Sequence, residues 1–222
     1  MIQLLRKNGY WFKRPINQEE FERRYQKGIR DFRGSIFEDV ELSPHLPTID
    51  IRHCDLRLVR DLPRVLAQAG TLKLNLEGVN LEKADLNHIS LSGTNFKKAQ
   101  LSGANLRGAC LYGVNLKGAS LAFVNLTSAQ LTHSNLQDAN LMNSFLVGAN
   151  CYKSNFKGAN LSHADLERCN LKDVNFNCAH LIWANLSQCN LQRASFHYTN
   201  LKYADLSLAL NPVSKNGLLL TD

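Results

Sequence analysis

Residues 99–113 read Ala99-Gln100-Leu101-Ser102-Gly103-Ala104-Asn105-Leu106-Arg107-Gly108-Ala109-Cys110-Leu111-Tyr112-Gly113, and the same unit runs on from Leu74 to Leu206. Every fifth residue from Leu76 to Leu206 is Leu or Phe, with Cys151 the single substitute. Two places before each large residue sits a smaller one, usually Ala, as at Ala84, Ala99, Ala119, Ala129 and Ala139. The place between them is mostly Asn or Asp, as at Asn75, Asn80, Asp85, Asn95 and Asn105. A fixed period of this kind decides the architecture before any local propensity is considered.

A period of five matches neither the 3.6-residue helical repeat nor the two-residue alternation of a strand. On a helix Leu76, Leu81 and Leu86 would spiral away from one another, and on a strand they would alternate between faces. A chain that turns a corner every five residues instead returns each large residue to one axis. Four corners close a square coil of twenty residues, and stacked coils pair at the strand spacing of ~4.8 Å. The large residue and the small one two places before it then point inward, and the other three positions face water. Gly recurs two places after the large residue (Gly78, Gly93, Gly103, Gly108, Gly113, Gly118, Gly148, Gly158), where a tight corner asks for unusual dihedrals.

The unit Ala-Asn/Asp-Leu-x-x, as in Ala104–Gly108 and Ala159-Asn160-Leu161-Ser162-His163, resembles the pentapeptide-repeat proteins. The resemblance implies an all-β solenoid, a right-handed quadrilateral β-helix, over about 130 of the 222 residues. It carries little about function, because one fold hosts many roles. Arg24-Tyr25-Gln26-Lys27-Gly28-Ile29-Arg30-Asp31-Phe32 resembles the leader that precedes repeats in cyanobacterial members.

The ends and one internal stretch depart from the repeat, and divide the chain into five segments. Residues 1–30 form a non-repeat cap for the open first coil, since solenoid ends expose apolar core and unpaired edges. Asn8-Gly9 suits the turn of a hairpin, and Ile2–Lys7 equally suits a helical turn ending at Gly9. A helix over 17–27 follows, with Asn17 and Glu20 as its N-terminal capping pair, Phe21 and Tyr25 on one face, and Gly28 at its end. Residues 31–60 are a first repeat block carrying Phe32, Phe37 and Leu42, then Leu46, Ile51 and Leu56 after one missing residue near Ser43-Pro44. Residues 61–70 read as a short helix, with Asp61 as N-cap, Pro63 in the first turn and Gly70 beyond the end. It either replaces a coil or bulges from a continuous solenoid. The main repeat block occupies 71–210, and a tail, 211–222, carries Leu218-Leu219-Leu220. That tail suits a cover for the last coil or a contact with a second copy, and the resemblance implies a homodimer through the C-terminal end.

Composition sets further bounds. No run approaches the ~18 apolar residues of a membrane span, and Met1–Lys7 lacks the apolar region of a signal peptide, so the cytoplasm is the expected location. Cys169 and Cys189 occupy small inward slots one coil apart and are expected to stack as core residues in a reducing compartment. Cys110 and Cys178 should face outward. His88, His133 and His163 share one repeat position but fall on three different sides, and no CxxC or CxxH pair supports zinc. The net charge of +7 is densest in residues 1–33, with nine Lys and Arg against four Asp and Glu. Some pentapeptide-repeat proteins protect DNA gyrase from quinolones, by a rod thought to imitate DNA with acidic charge. A basic rod cannot imitate a polyanion through its field, so that role is disfavoured.

No catalytic constellation survives placement on a convex rod without a cleft to exclude water. No cofactor, metal or catalytic residue is assigned, and an enzyme is not expected. Two surfaces remain. One side reads Glu77, Lys97, Lys117, Gln137, Lys157, Asn177 and His197, a basic stripe strengthened by Lys98. The next side gathers Phe123, Met142, Ile182, Trp183 and Tyr203, an apolar set suited to a partner protein. Tyr112 and Tyr152 fall elsewhere. No side is expected to interleave aromatic with basic residues. That favours a non-catalytic scaffold binding a protein over association of Lys97, Lys98, Lys117 and Lys157 with DNA or a topoisomerase.

Overall fold

The computed structural model describes residues 4–7, 10–13, 15–42, 45–69 and 74–210. From Asn75 to Leu210 each residue just before a large one forms a parallel bridge to the residue twenty further on, as in Asn75 with Asn95, Gln100 with Ser120 and Asn190 with Leu210. Four five-residue sides therefore make one coil. The first side carries Leu76, Phe96, Leu116, Leu136, Phe156, Phe176 and Phe196. The second carries Leu81 to Leu201, the third Leu86 to Leu206 and the fourth Leu91 to Leu191. Each is followed by a corner bearing the same ordinal, so that Lys97-Lys98 lies on the first corner and Phe123 on the second.

Every corner is closed alike. The N–H of the residue three after the large one donates to that large residue's carbonyl, as in Ala84 to Leu81 at 3.1 Å and Ala99 to Phe96 at 3.0 Å. The third turn residue has φ near +60°, the signature of a type II turn: Gly113 at 62°, but also Lys98 at 57°, Phe123 at 59° and Trp183 at 58°. Glycine suits these corners and is not required at them. Asn and Asp recur before the large residue because their side chains accept the N–H two residues on, as Asn95 does from Lys97 and Asn115 from Lys117, each at 3.2 Å. The corners also explain why regular strand is sparse. A left-handed residue every five leaves each side room for a single bridge rather than a continuous strand.

The lumen is filled by one apolar cluster, with Leu81, Leu86, Leu121, Leu131, Phe156 and Phe176 fully buried. The buried hydroxyls of Thr94 and Ser144 have no partner among the described residues, whereas three other polar residues in the small slots send their hydrogen back to the carbonyl one coil below: Ser134 to Leu111 (2.8 Å), Ser154 to Leu131 (2.6 Å) and Thr199 to Phe176 (2.7 Å). Cys169 and Cys189 do the same to Leu146 and Leu166, each at 2.9 Å.

The N-terminal part is less regular. Strands β1 (Leu4–Lys7) and β2 (Tyr10–Lys13) pair antiparallel; Asn8-Gly9 between them lies outside the described residues. Ile16 pairs alongside Ile36–Glu38, its N–H donating to the Ile36 carbonyl at 2.8 Å. Helix α1 (Gln18–Gln26) starts at Asn17, whose side chain accepts the Glu20 N–H at 3.0 Å. Its Phe21 is fully buried against the inward rings of the first repeats, Phe32 and Phe37, at centroid distances of 5.0 and 6.0 Å. Strands β3 (Ile36–Glu38) and β4 (Asp55–Leu58) pair in parallel, Ile36 opposite Asp55. That separation is one short of twenty, in keeping with the residue missing near Ser43-Pro44, which themselves lie outside the described residues.

Helix α2 spans Leu62–Ala69 and buries Leu62, Val65 and Leu66. Asp61, read from the sequence as its N-cap, has φ 47°, outside the extended range of such caps. Its carbonyl accepts the Val65 N–H at 3.1 Å and its carboxylate lies 3.7 Å from Arg64. Leu56 and Leu76 are twenty residues apart, the length of one coil, and on the repeat alone would be expected to stack. Leu56 does not lie one coil below Leu76: its N–H donates to Asn80 at 3.1 Å and Asp55 bridges Asn80. The coil containing α2 is thus five residues longer than the others. A helix advances ~1.5 Å per residue against ~3.3 Å for extended chain, so the same gap consumes more residues. The tail, residues 211–222, with the homodimer contact expected of it, lies outside the described residues.

Candidate interaction surfaces

The second corner stacks Ala122-Phe123, Met142-Asn143, Ser162-His163, Ile182-Trp183 and Lys202-Tyr203 at the coil spacing of ~4.8 Å. Phe123, Trp183 and Tyr203 are 57%, 55% and 58% exposed, large values for aromatic rings, while Met142 and Ile182 are half-buried. Trp183 and Tyr203 stack with centroids 4.3 Å apart and planes 22° apart, and Lys202 Nζ lies 4.9 Å from the centre of the Tyr203 ring. Phe123 stands three coils below Trp183, ~14 Å away, with Asn143 and His163 between them at the same position. The five apolar residues are therefore two groups on one edge: Ile182, Trp183 and Tyr203 toward the C-terminal end, and Phe123 with Met142 lower down. Phe145, 53% exposed, joins the lower group from the adjoining third side. Sequence reading missed it because it stands in a column otherwise filled by Asn and Asp.

The first corner holds the four lysines read as a basic stripe, and two of them face carboxylates. Lys97 Nζ lies 3.3 Å from Glu77 and Lys117 Nζ 4.0 Å from Asp138, while Lys98 and Lys157 have no ion pair of that kind among the described residues. Among the described residues, most of the arginines between Arg23 and Arg60 face carboxylates. Arg33, Arg52 and Arg57 each grip the aspartate two residues before, at 2.5, 2.5 and 2.7 Å, and Arg60 grips Asp39 at 2.8 Å. Arg23 and Arg24 share Glu20. Hydrogen bonds from Arg33 hold the Asp31 carboxyl down to about 2. Opposed charges at these distances cancel at long range, so the described N-terminal block projects little basic field.

The fourth corner contradicts the expectation that no side interleaves aromatic with basic residues. Tyr112, His133 and Tyr152 run up it edge to face, with centroids 5.6 and 5.9 Å apart. Lys153 Nζ lies 5.1 Å from the Tyr152 ring centre, Lys172 follows one coil on, and Arg193 grips Asp173 through two bonds of 2.5 and 2.8 Å. The residues alternate between the two places of the corner, Tyr112 and Tyr152 in the first and His133 in the second, and so no single column holds all three when the sequence is aligned by coil.

Cys110 and Cys178 are exposed, and the other four thiols are buried. Burial pushes the Cys151 thiol up to about 12, and the neighbouring Cys189 thiol together with burial raises Cys169, so these thiols stay protonated and unreactive at neutral pH. Among the described residues no group of three or more His, Cys, Asp or Glu side chains is placed to hold a metal ion. No described helix is long and apolar enough to cross a membrane.

The chain is 28% identical to a pentapeptide repeat protein of the Arabidopsis thaliana thylakoid lumen, over 50% of this chain and 72% of that one, with a TM-score of 0.39. It is 23% identical to HetL, a pentapeptide repeat protein involved in heterocyst differentiation regulation in the cyanobacterium Nostoc, over 87% and 92% of the two chains (TM-score 0.31). QnrB1, a plasmid-mediated fluoroquinolone resistance protein, matches at 16% identity over 82% of this chain and 85% of its own, with a TM-score of 0.34. Comparison with curated proteins gives no match. The profile of pentapeptide repeats matches eight copies, over residues 75–111, 109–146, 134–173 and 175–210, more than half of the chain. With four-sided coils, inward Leu and Phe, and bridges twenty residues apart, this chain belongs to the pentapeptide repeat family, whose fold is the right-handed β-helix.

Proposed function

We propose that this protein is a non-catalytic scaffold of the cytoplasm that takes a protein partner on its second corner, with Trp183 and Tyr203 as anchors. The observation that carries the reading is the exposed stack of these two rings. Each keeps more than half its surface in water while held rigid by the other. A rigid aromatic pair loses little conformational freedom on binding, and aromatic residues are enriched among interface hot spots. Ile182 beside Trp183 adds apolar area, and Phe123, Met142 and Phe145 offer a second foothold ~14 Å along the rod. The thiols of Cys110, Cys151, Cys169, Cys178 and Cys189, none of them in a disulfide, suit a reducing compartment.

The test is affinity capture with the intact protein and with Trp183→Asp and Phe123→Ser, followed by rebinding of each purified partner. Both substitutions lie at exposed corners and leave the circular dichroism of the coil unchanged. Loss of rebinding by Trp183→Asp, with a smaller loss for Phe123→Ser, is the expected result. Undiminished rebinding by Trp183→Asp rejects the proposal. Association of DNA or a topoisomerase with the lysines of the first corner has weaker support, because Lys97 and Lys117 already face Glu77 and Asp138.

A further inference from the structure

The first side lies between the fourth and first corners, and charge is distributed unevenly about it. Its two bordering corners carry seven cations against three carboxylates, Glu77, Asp138 and Asp173. The corners bordering the opposite, third side, with that side itself, carry four cations against five carboxylates. The rod thus has a positive face that the segment totals conceal. The wall between the positive corners is uncharged and regular. Asn95 donates its side-chain amide to Asn75 at 2.9 Å, and Asn115 donates to Asn95 at 3.0 Å. Each such amide has two N–H groups and spends one on the ladder, which leaves a second for a ligand.

We propose that this face binds single-stranded nucleic acid, with bases stacked on the fourth-corner rings and phosphates held by Lys153 and Lys172, an activity beyond the protein-scaffold reading. The ring ladder distinguishes this ligand from other polyanions. Tyr112 is 54% exposed and His133 is also exposed, so both present faces on which an unpaired base can stack. A duplex hides its base faces inside the helix and meets only the cations. An acidic peptide likewise gains charge contacts and no stacking. Arg193 takes both oxygens of Asp173. Lys153 and Lys172, one coil apart, make no ion pair within 4 Å among the described residues, although both lie in the field of that carboxylate. Lys153 lies one coil above His133, and Lys172 one coil above Tyr152. From Tyr112 to Lys172 the corner measures three coils, ~14 Å, enough for a few nucleotides. Lys98 and Lys157, across the asparagine wall, lie within the same positive field.

Fluorescence anisotropy of the full chain with labelled twelve-nucleotide dT and rU strands tests this, with a duplex of the same length and poly-glutamate as competitors. The expected result is binding to one or both strands, displaced at least ~10-fold less readily by duplex or poly-glutamate. Affinity should fall with salt on a logarithmic slope of about −1.4, the value for two phosphate contacts, at Lys153 and Lys172, on a single strand. Tyr112→Ala combined with Tyr152→Ala should weaken binding by ~10-fold or more with little change in that slope. Lys153→Gln combined with Lys172→Gln should flatten the slope by about 1.4 units. Trp183→Asp should leave the affinity unchanged, which separates this site from the proposed protein-binding corner. All of these are surface substitutions, and unchanged circular dichroism shows that the coil is intact. Absence of binding at 50 mM salt (~the low end of the usual range), equal displacement by poly-glutamate or duplex, or full affinity in the tyrosine variant would each overturn the proposal.

Discussion

Replacing Phe176 by Ala tests whether the rod behaves as stacked coils that feel only their neighbours. Phe156, Phe176 and Phe196 occupy one inward position on successive coils, with ring centroids 5.3 Å apart at both steps. Phe176 is fully buried, so truncation removes its transfer free energy and leaves a cavity, together worth ~3–5 kcal/mol. It also removes two aromatic contacts worth ~0.5–1.5 kcal/mol each beyond area. Phe96 is similarly buried, but Leu76 and Leu116 stand one coil below and above it. Phe96→Ala should therefore cost ~1–3 kcal/mol less than Phe176→Ala, the worth of the two aromatic contacts. Urea denaturation followed by circular dichroism measures the two costs, and hydrogen exchange read by mass spectrometry locates them. Because each coil contacts only the next, Phe176→Ala should expose the amides of Asn200 and Asp205, which bond Ala179 and Ala184 at 2.9 Å. Protection around Asn105 and Ser120 should be kept. Equal costs for the two substitutions, or a uniform rise in exchange along the rod, would refute the reasoning.

Two further outcomes follow from the corners and from the arginine–aspartate pairs. Gly113 and Gly78 have φ of 62° and 67°, but a Cβ on Gly113 meets nothing within 4 Å, whereas one on Gly78 would lie 2.1 Å from His53 Nδ1. Gly113→Ala should therefore cost ~1 kcal/mol for the left-handed backbone alone. Gly78→Ala should cost more, and the excess should vanish in a His53→Ala background when melting curves of the four proteins are compared. The second outcome concerns acid. The Asp31 carboxyl is held near 2 by Arg33, below its ordinary 3.8, and Arg52 and Arg60 lower Asp50 and Asp39 in the same sense. A depressed carboxyl stabilises the fold above its unfolded value and loses that contribution as pH falls toward its folded value. The melting temperature should thus decline between about pH 4 and pH 2. The difference between the natural protein and Arg33→Gln, small at neutral pH because the pair is exposed, should shrink over that window and vanish only below about pH 1. A difference that stays undiminished between about pH 4 and pH 1 would show that Arg33 acts through something other than this pair.

The main coil was legible because its cause is local. One type II turn with the same hydrogen bond recurs every five residues, and a narrow lumen accepts one large and one small side chain per side. Leu76 to Leu206 express both constraints in a single column each. The Asn and Asp column was legible for the same reason, since an Asx bond reaches only two residues along. Where contacts cross coils without sharing a column, the reading failed. Tyr112, His133 and Tyr152 meet across a corner from alternating places. On the apolar edge the membership of Phe123, Met142, Ile182, Trp183 and Tyr203 follows from the register alone, whereas the stacking of Trp183 on Tyr203 is set by the tertiary structure.

The N-terminal segments show the same division. Asn17 and Glu20 mark a helix start by themselves, yet which surface Phe21 covers depends on the rings of Phe32 and Phe37 presented by a later part of the chain. The helical character of residues 62–69 is written in Leu62, Val65 and Leu66, but the length of its coil is not. Only the bond from Leu56 to Asn80 decides that, because a helix and an extended side cover the same gap with different numbers of residues. The net charge of +7 belongs to the sequence alone. How much of it acts at a distance is decided by tertiary structure, which sets Arg60 against Asp39 and Arg193 against Asp173 across a coil. The sequence by itself thus determined the repeating unit and its inward face, because bonds and packing within five residues define them. The surfaces that distinguish this rod from any other were decided by stacking, which brings together residues some twenty apart that no local rule relates.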